Sequence, residues 1–521
     1  MTKNKRLNKE VSRLQHTIRN ANTATVFLVL KLTVTFFSRK VLIDYLGSDL
    51  VGMNSTMVNI LGFLNLAELG ITTVISASLY KPLYTGDRSA ITDIVSIFGV
   101  LFRRIGFTIL ILGSGVSVFL PMIFHDSGVS LGYVYAGFFT YLFASLLGYF
   151  FNYKQNILDA DQKNYLITVI NNSVFILKSI LQIIFLKYYH GGYFTWVTLE
   201  VVSALAIAIW INITVNKRYP WLHPSYSKGK RVQAIYPAIF KNIRQIIPHK
   251  FAGYVLSQTS SLIIFAFAGL TMVTIYTNYT TVTLSAVLLL TTIANGLSAS
   301  VGNLISEGNN ARIKQVFWEL QALFFFLGGI LFISLYYLLD PFIVLWVGPQ
   351  FLMDRVALYA LLYLMAINVF SNATAAFLTG YILYSDTWAP WTEAVLNLGL
   401  SIVLCGYYGI VGVILGAAIS RTLIIIIWKP YFLYRVKFKQ TVWTYWSVVT
   451  KYLLAFLITW GIIEGVIRVD WLPRFTGFVN WGINALIITV LSSIILFTFL
   501  CFSDKSMRYL FCRVIQTITR R

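Results

Sequence analysis

Long hydrophobic runs separated by short polar breaks recur along the whole chain. Fourteen of these runs are close to the roughly 20 residues that a helix needs to cross a bilayer. They predict membrane spans at about 23–44, 51–80, 105–124, 130–152, 164–186, 193–215, 251–268, 274–300, 316–338, 356–380, 389–405, 408–428, 452–467 and 478–502. The pattern therefore predicts an all-α polytopic membrane protein whose two termini lie on the same side.

Composition excludes the soluble classes. Of 521 residues, 57% are hydrophobic and 12% are charged, whereas soluble domains carry about 25% charged residues. The three cysteines have no metal-binding or redox spacing, and the sequence contains no nucleotide-binding glycine loop, metal motif or hydrolytic triad. We therefore expect no catalytic residues, no metal site, no cofactor and no enzymatic activity.

The net charge of +22 would suit a nucleic-acid partner, but the basic residues follow the membrane topology instead. With the amino terminus inside, the inner loops and both tails contain 32 of the 41 lysines and arginines, the outer loops four and the spans five. This bias predicts that both termini are cytoplasmic. Nucleic acid is not expected as a partner.

The polar breaks also predict the domains. Residues 1–22 form a basic amphipathic segment that we expect on an anionic inner leaflet. An N-lobe of six spans follows at 23–215, a basic cytoplasmic linker at 216–250, a C-lobe of six spans at 251–430, and two further spans with a basic tail at 431–521. Gly47 and Gly269, and likewise Gly86 and Gly308, are separated by 222 residues, which indicates two lobes in parallel pseudo-repeat.

Cationic side chains lie where lipid should exclude them. Lys31 and Arg39 share one face of the first span, and Lys178 shares a face of the fifth span with Asn171 and Gln182. An ionised side chain at bilayer depth costs roughly 2.5 to 3.5 kcal/mol, so such residues usually face a cavity or a ligand. We expect these cations to line a central cavity that attracts an anion.

Other polar residues in the spans leave alternatives open. Asn65 and Glu68 in the second span face the same cavity or form structural pairs, and Glu200 is a candidate ion-pair partner of Lys178. Arg421 in the twelfth span is a fourth candidate cation, although snorkelling to the cytoplasm explains it equally well. Glu393 begins a polar stripe on the eleventh span.

Local motifs resemble those of a known family. In chain order they are Tyr45-Leu46-Gly47, Glu68-Leu69-Gly70-Ile71, Leu262-Ile263-Ile264, Tyr276-Thr277-Asn278-Tyr279, Gly302-Asn303-Leu304-Ile305, Leu345-Trp346-Val347-Gly348, Glu393-Ala394 and Gly409-Ile410-Val411-Gly412-Val413. Nearly the whole chain resembles bacterial Wzx-type flippases, which export O-antigen, capsule and exopolysaccharide and belong to the MATE-like multidrug, oligosaccharidyl-lipid and polysaccharide exporter superfamily.

The resemblance implies a MATE-like fold with two extra carboxyl-terminal helices, in the bacterial cytoplasmic membrane. It implies a flippase that moves undecaprenyl-diphosphate-linked oligosaccharide outward by alternating access, with polymerase and chain-length proteins as expected partners. On this hypothesis Lys31, Arg39 and Lys178 neutralise the diphosphate. The side chains of Asn65, Asn171 and Gln182 then bind the glycan.

Ion coupling and two rival functions remain open. The Thr-Asp pair common in the family is here Thr259-Ser260, so Glu68 and Glu393 are the remaining candidates for coupling to H⁺ or Na⁺. A related drug antiporter would need an acidic or apolar cavity. A membrane glycan polymerase would need catalytic groups in large outer loops, and the predicted outer loops are short.

Overall fold

A computed structural model describes residues 3–68, 71–381, 383, 385–469 and 475–519. Side chains are described in these ranges except at 3–22, 24–25, 66–67, 73, 77, 242, 245–257, 289, 292–300, 303, 306 and 514–519. The predicted amphipathic character of residues 1–22 therefore concerns side chains outside the described set. Throughout the described ranges, every regular element is helical.

The chain forms two compact units, and the first comprises residues 1–258 and 269–271. Its helices are α1 (Lys3–Leu46), α2 (Ser48–Leu64), α3 (Ile71–Thr85), α4 (Arg88–Ile123), α5 (Leu131–Phe150), α6 (Asn156–Ala160), α7 (Asn164–Tyr188), α8 (Tyr193–Arg218), α9 (Tyr226–Val232) and the first part of α10 (Pro237–Ser306). Helix α1 packs along α7, α5 and α7 pack against α8, and α9 lies on α4. The predicted linker 216–250 thus contains α9 and the start of α10.

The second unit comprises residues 259–268 and 272–521. After α10 it contains α11 (Asn310–Trp346), α12 (Arg355–Phe370), α13 (Asn372–Gly380), α14 (Trp388–Tyr408), α15 (Ile410–Arg421), α16 (Lys429–Leu433), α17 (Val442–Arg468), α18 (Phe478–Ser503) and α19 (Lys505–Thr519). Helices α14 and α15 pack closely at Gly412, where the absence of a side chain is required. A Cβ on this residue would lie only 2.1 Å from the Leu404 carbonyl oxygen. The boundaries of the predicted lobes and linker stay predictions.

Eleven helical stretches among the described residues are long and apolar enough to cross a membrane. Ten of them each coincide with one of the fourteen predicted spans, and the eleventh, Gln258–Leu288, overlaps parts of the two predicted spans 251–268 and 274–300. These two spans both lie on α10, which bends at Gly269, and the remaining two predicted spans lie on α1 and on α2 with α3. The predicted fold class, an all-α polytopic membrane protein, is confirmed.

The second predicted span is not one continuous helix. Helix α2 ends at Leu64, a 3₁₀ turn covers Asn65–Glu68, and α3 begins at Ile71. The polar side chains of this turn bond to α5, as described below, and 3₁₀ geometry in the middle of a span often marks such a site. Hydrophobic periodicity could not anticipate the break because it contains no information about partners on another helix.

The 222-residue repeat is visible in the backbone. The φ angle is 87° at Gly47 and 78° at Gly269, and it is 76° at Gly86 and 75° at Gly308. The next residues also correspond: the Asp87 side chain caps α4 by accepting from the Ala90 N–H. The Asn309 side chain caps α11 by accepting from the Arg312 N–H. The two halves of the sequence therefore have glycines with similar positive φ angles at equivalent positions.

Candidate functional site

Lys178 on α7 is held by a carboxylate from the neighbouring helix. Its Nζ lies 2.7 Å from Oε1 and 2.9 Å from Oε2 of Glu200 on α8. Only 12% and 16% of these two side chains is exposed. Gln182, one turn further along α7, donates to Glu200 Oε1 at 3.0 Å and to the Trp196 carbonyl at 3.2 Å. The predicted pairing of Lys178 with Glu200 is confirmed.

An aromatic ring joins Lys178 to Lys31. The Nζ atoms of Lys31 and Lys178 lie 5.1 Å and 5.0 Å from the centroid of the Phe175 ring. Both distances are within the range of about 6 Å for cation–π attraction. We call Lys31, Phe175, Lys178, Gln182 and Glu200 the Phe175 cluster. With two ammonium groups and one carboxylate it carries one net positive charge, so it can attract an anion.

Two further predicted ligands of the first unit, Arg39 and Asn171, lie along the same two helices. Arg39 is half-buried on α1, about 12 Å along the helix axis from Lys31. Asn171 is half-buried on α7, seven residues before Lys178. Lys40, by contrast, pairs with Asp44 on its own helix, with Nζ 3.4 Å from Oδ2. The structure brings Lys31 and Lys178 together, and the roles of Arg39 and Asn171 stay predictions.

Glu68 and Asn65 form a second polar group, on the 3₁₀ turn between α2 and α3. Glu68 accepts from the hydroxyls of Thr72 at 2.7 Å and of Tyr149 at 2.8 Å. Asn65 Oδ1 accepts from Ser145 at 3.0 Å and from Tyr149 at 3.2 Å. We call these five residues the Glu68 cluster. Two hydroxyl groups therefore donate hydrogen bonds to its carboxylate.

In the second unit, Arg421 and Glu393 lie together. Arg421 Nη1 donates to Asn368 Oδ1 at 2.7 Å, and its Nε lies 3.7 Å from Glu393 Oε1. The Glu393 side chain is only 8% exposed, so the guanidinium offsets a carboxylate held in low dielectric. An arginine paired in this way need not extend to the cytoplasm to satisfy its charge. Its positive charge is also partly neutralised before any substrate binds.

Three residues that contact the predicted ligands were not themselves predicted from the sequence. Phe175 lies three residues before Lys178 and shares its helix face, so spacing could have found it. Tyr149 bonds to Glu68 across 81 residues, and Asn368 bonds to Arg421 across 53. Residues this far apart in sequence do not form a short motif that could identify them.

No protein-family model matches the sequence, and no curated protein matches it. Solved structures do match. The lipid II flippase MurJ, in an inward closed conformation, superposes with a TM-score of 0.66 at 15% identity, over 91% of this chain and 98% of MurJ. The fold is MATE-like.

Two transporters support the same MATE-like fold. An inward-facing multidrug resistance MATE family transporter of the MOP superfamily gives a TM-score of 0.59 at 15% identity, over 79% of this chain and 98% of its own. A MOP superfamily transporter from Pyrococcus furiosus, described as having a binding pocket of reverse polarity, gives 0.51 at 14% identity, over 82% and 97%. At these identities the likeness establishes the fold alone. The predicted MATE-like architecture is confirmed.

Proposed function

We propose that this protein is a flippase that moves undecaprenyl-diphosphate-linked oligosaccharide across the bacterial cytoplasmic membrane for surface polysaccharide synthesis. The Phe175 cluster is the observation that carries the proposal. Two lysines of α1 and α7 share one ring, and a charge at bilayer depth is costly unless it faces a cavity, a partner or a ligand. A diphosphate supplies the matching negative charge, which lysine binds as a compact point charge.

The structural likenesses support a lipid-linked substrate. The match to MurJ, described as a lipid II flippase, extends over 91% of this chain, whereas the match to the multidrug transporter extends over 79%. Lipid II and the proposed substrate share a glycan on a lipid carrier. The shared architecture also provides the two lobes that alternating access requires.

In the proposed mechanism, Glu200 holds Lys178 when the site is empty, and the arriving diphosphate competes for the same ammonium. Lys31, which shares the Phe175 ring, and Arg39 supply further positive charge. Both N–H groups of Gln182 are already used by Glu200 and Trp196. Gln182 therefore positions Glu200, and Asn65 and Asn171 remain the groups proposed to bind the glycan.

Of the two carboxylates considered for ion coupling, we favour Glu68. Glu393 already has a cationic partner, because its Oε1 lies 3.7 Å from Arg421 Nε. Glu68 accepts only hydroxyl hydrogen bonds among the described contacts. None of the ion pairs among the described side chains involves Glu68, so we assign the coupling ion to this carboxylate.

The test compares two lysines of α7. Lys178→Gln removes the ammonium of the Phe175 cluster, whereas Lys187→Gln removes the same charge from an exposed position beside Tyr188. We expect Lys178→Gln to abolish transfer of a fluorescent undecaprenyl-diphosphate-linked sugar in proteoliposomes, and Lys187→Gln to retain it. Normal transfer by Lys178→Gln at equal protein content would contradict the proposal.

A cation-coupled drug antiporter is the second candidate, because the MATE-like fold is shared with a multidrug resistance transporter. The positive charge of the Phe175 cluster argues against cationic drugs. Drug susceptibility of cells with and without the protein separates the two functions. Resistance that disappears in Glu68→Gln, without any defect in glycan export, would favour the antiporter.

A further inference from the structure

A cavity of about 610 Å³ lies in the first unit where α9 meets α4 and the end of α5. One helical stripe of α4 forms its floor, including Arg103, Phe107 and Leu110. Tyr153 and Tyr226 line its walls. Its volume is in the range of small-molecule sites, and its lining includes Tyr149 of the Glu68 cluster but no residue of the Phe175 cluster.

The cavity spans the boundary between lipid and water. The 20 residues from Arg104 to Ile123 complete α4 and measure about 30 Å, the thickness of the hydrocarbon core. Arg103 is therefore expected at headgroup level, in the half of α4 that the basic loops predict to be cytoplasmic. Phe107 and Leu110 lie about 6 and 10 Å deeper, and 49% and 37% of their surfaces is exposed.

The mouth of the cavity is cationic. The Arg103 guanidinium lies 5.1 Å from the centroid of the Tyr226 ring, and Lys230 Nζ lies 4.9 Å from the same ring. None of the ion pairs among the described side chains involves Arg103 or Lys230. Asp93, an acidic residue on α4, is engaged by Lys228 at 2.7 Å.

Helix α9 is fixed in place, so the mouth is preformed. The Ser225 N–H donates to Ser96 Oγ on α4 at 3.2 Å. A Cβ on Gly229 would lie 2.3 Å from the Ser96 carbonyl oxygen, so α9 lies against α4 as closely as glycine allows. The wall that carries Tyr226 and Lys230 is thus held to the floor that carries Arg103.

We propose that this cavity binds one anionic phospholipid of the adjoining leaflet. Its phosphate lies between Arg103 and Lys230, and the upper part of an acyl chain runs over Phe107 and Leu110. A soluble anion would use the cationic mouth and leave the apolar floor uncovered. A lipid covers both, and each half of the cavity lies at the depth where the lipid carries the matching group.

The test measures lipid binding by native mass spectrometry on the detergent-purified full chain, with dioleoyl phosphatidylglycerol as the probe. We expect Arg103→Gln to weaken binding of one phosphatidylglycerol by roughly tenfold or more. Arg104→Gln is the matched control, because Arg104 is the exposed neighbour with the same charge and does not line the cavity. It should bind phosphatidylglycerol like the unaltered protein.

Leu110→Trp provides a variant that keeps every charge. It fills the apolar floor and should also exclude the lipid, which keeps the proposal testable if Arg103→Gln folds poorly. Equal losses in Arg103→Gln and Arg104→Gln would overturn the proposal, since general surface attraction would explain both. So would displacement of the lipid by inorganic phosphate at equal concentration, or equal retention of dioleoyl phosphatidylcholine.

Discussion

Gly137 on α5 allows the Tyr193 hydroxyl to reach α2. A Cβ at Gly137 would lie 2.3 Å from Tyr193 Oη and 2.9 Å from Met57 Sδ, and this hydroxyl donates to Asn54 Oδ1 at 2.7 Å. We expect Gly137→Ala to cost about 1–3 kcal/mol, because it overfills a packed site and displaces a buried hydrogen bond. A lower midpoint of thermal unfolding in detergent would show this loss.

Gly148 is the matched control for Gly137. It lies on the same helix, and a Cβ there would meet nothing within 4 Å. Gly148→Ala should leave the midpoint unchanged or raise it slightly, because alanine favours a helix interior over glycine by about 0.5–1 kcal/mol. An equal loss in both variants would show that the Tyr193 contact is not the cause.

Arg421 allows a second prediction for single residues. Arg421→Gln leaves the Glu393 carboxylate buried without its guanidinium, which should cost about 3 kcal/mol. Adding Glu393→Gln should restore most of that loss, because no buried charge then remains. Thermal unfolding of the two single variants and the double variant measures the coupling. Arg435→Gln, at an exposed position, should have little effect, and additive losses at 421 and 393 would contradict the pairing.

At the scale of structural elements, the repeated turn predicts that Gly47 and Gly269 are equally sensitive to substitution. Gly47 and Gly269 both have φ angles in the left-handed region, where any L side chain strains the backbone even though the space around each glycine is open. We expect Gly47→Ala and Gly269→Ala each to cost about 1–2 kcal/mol. Gly302→Ala, where the helix is regular and a Cβ meets nothing within 4 Å, should be neutral. Unequal effects at 47 and 269 in thermal unfolding would argue against equivalent turns.

The elements also show what sequence can predict. Ten predicted spans each coincide with one apolar helix, because a bilayer sets one length and one polarity for every crossing. The 222-residue repeat was predictable because left-handed turns favour glycine. The 3₁₀ turn at Asn65–Glu68 was not, because the partners that stabilise it lie on α5.

The candidate site was likewise predictable from the sequence only in part. The cost of burying a charge identifies Lys31 and Lys178 without any structure, and the same argument gives Glu200 as the partner of Lys178. The shared Phe175 ring depends on how α1 packs against α7, which helical periodicity does not specify. The sequence therefore predicts which side chains need a partner better than it predicts which residues are those partners.

At the scale of the whole molecule, charge predicts orientation. The inner loops and tails contain 32 of 41 basic residues when the amino terminus is inside, so both termini and α19 should be cytoplasmic. Cys512 on α19 is exposed, and Tyr189, which follows α7 in a predicted outer loop, is 71% exposed. These two positions should report opposite faces of the membrane.

Two single-cysteine proteins make this orientation measurable. One keeps Cys512 and carries Cys405→Ala and Cys501→Ala; the other has all three cysteines replaced by alanine and carries Tyr189→Cys. A membrane-impermeant maleimide should label Tyr189→Cys in right-side-out vesicles and Cys512 only in inverted vesicles. Labelling of Cys512 in sealed right-side-out vesicles would reverse the topology, and Arg103 with its cavity would then face the outer leaflet.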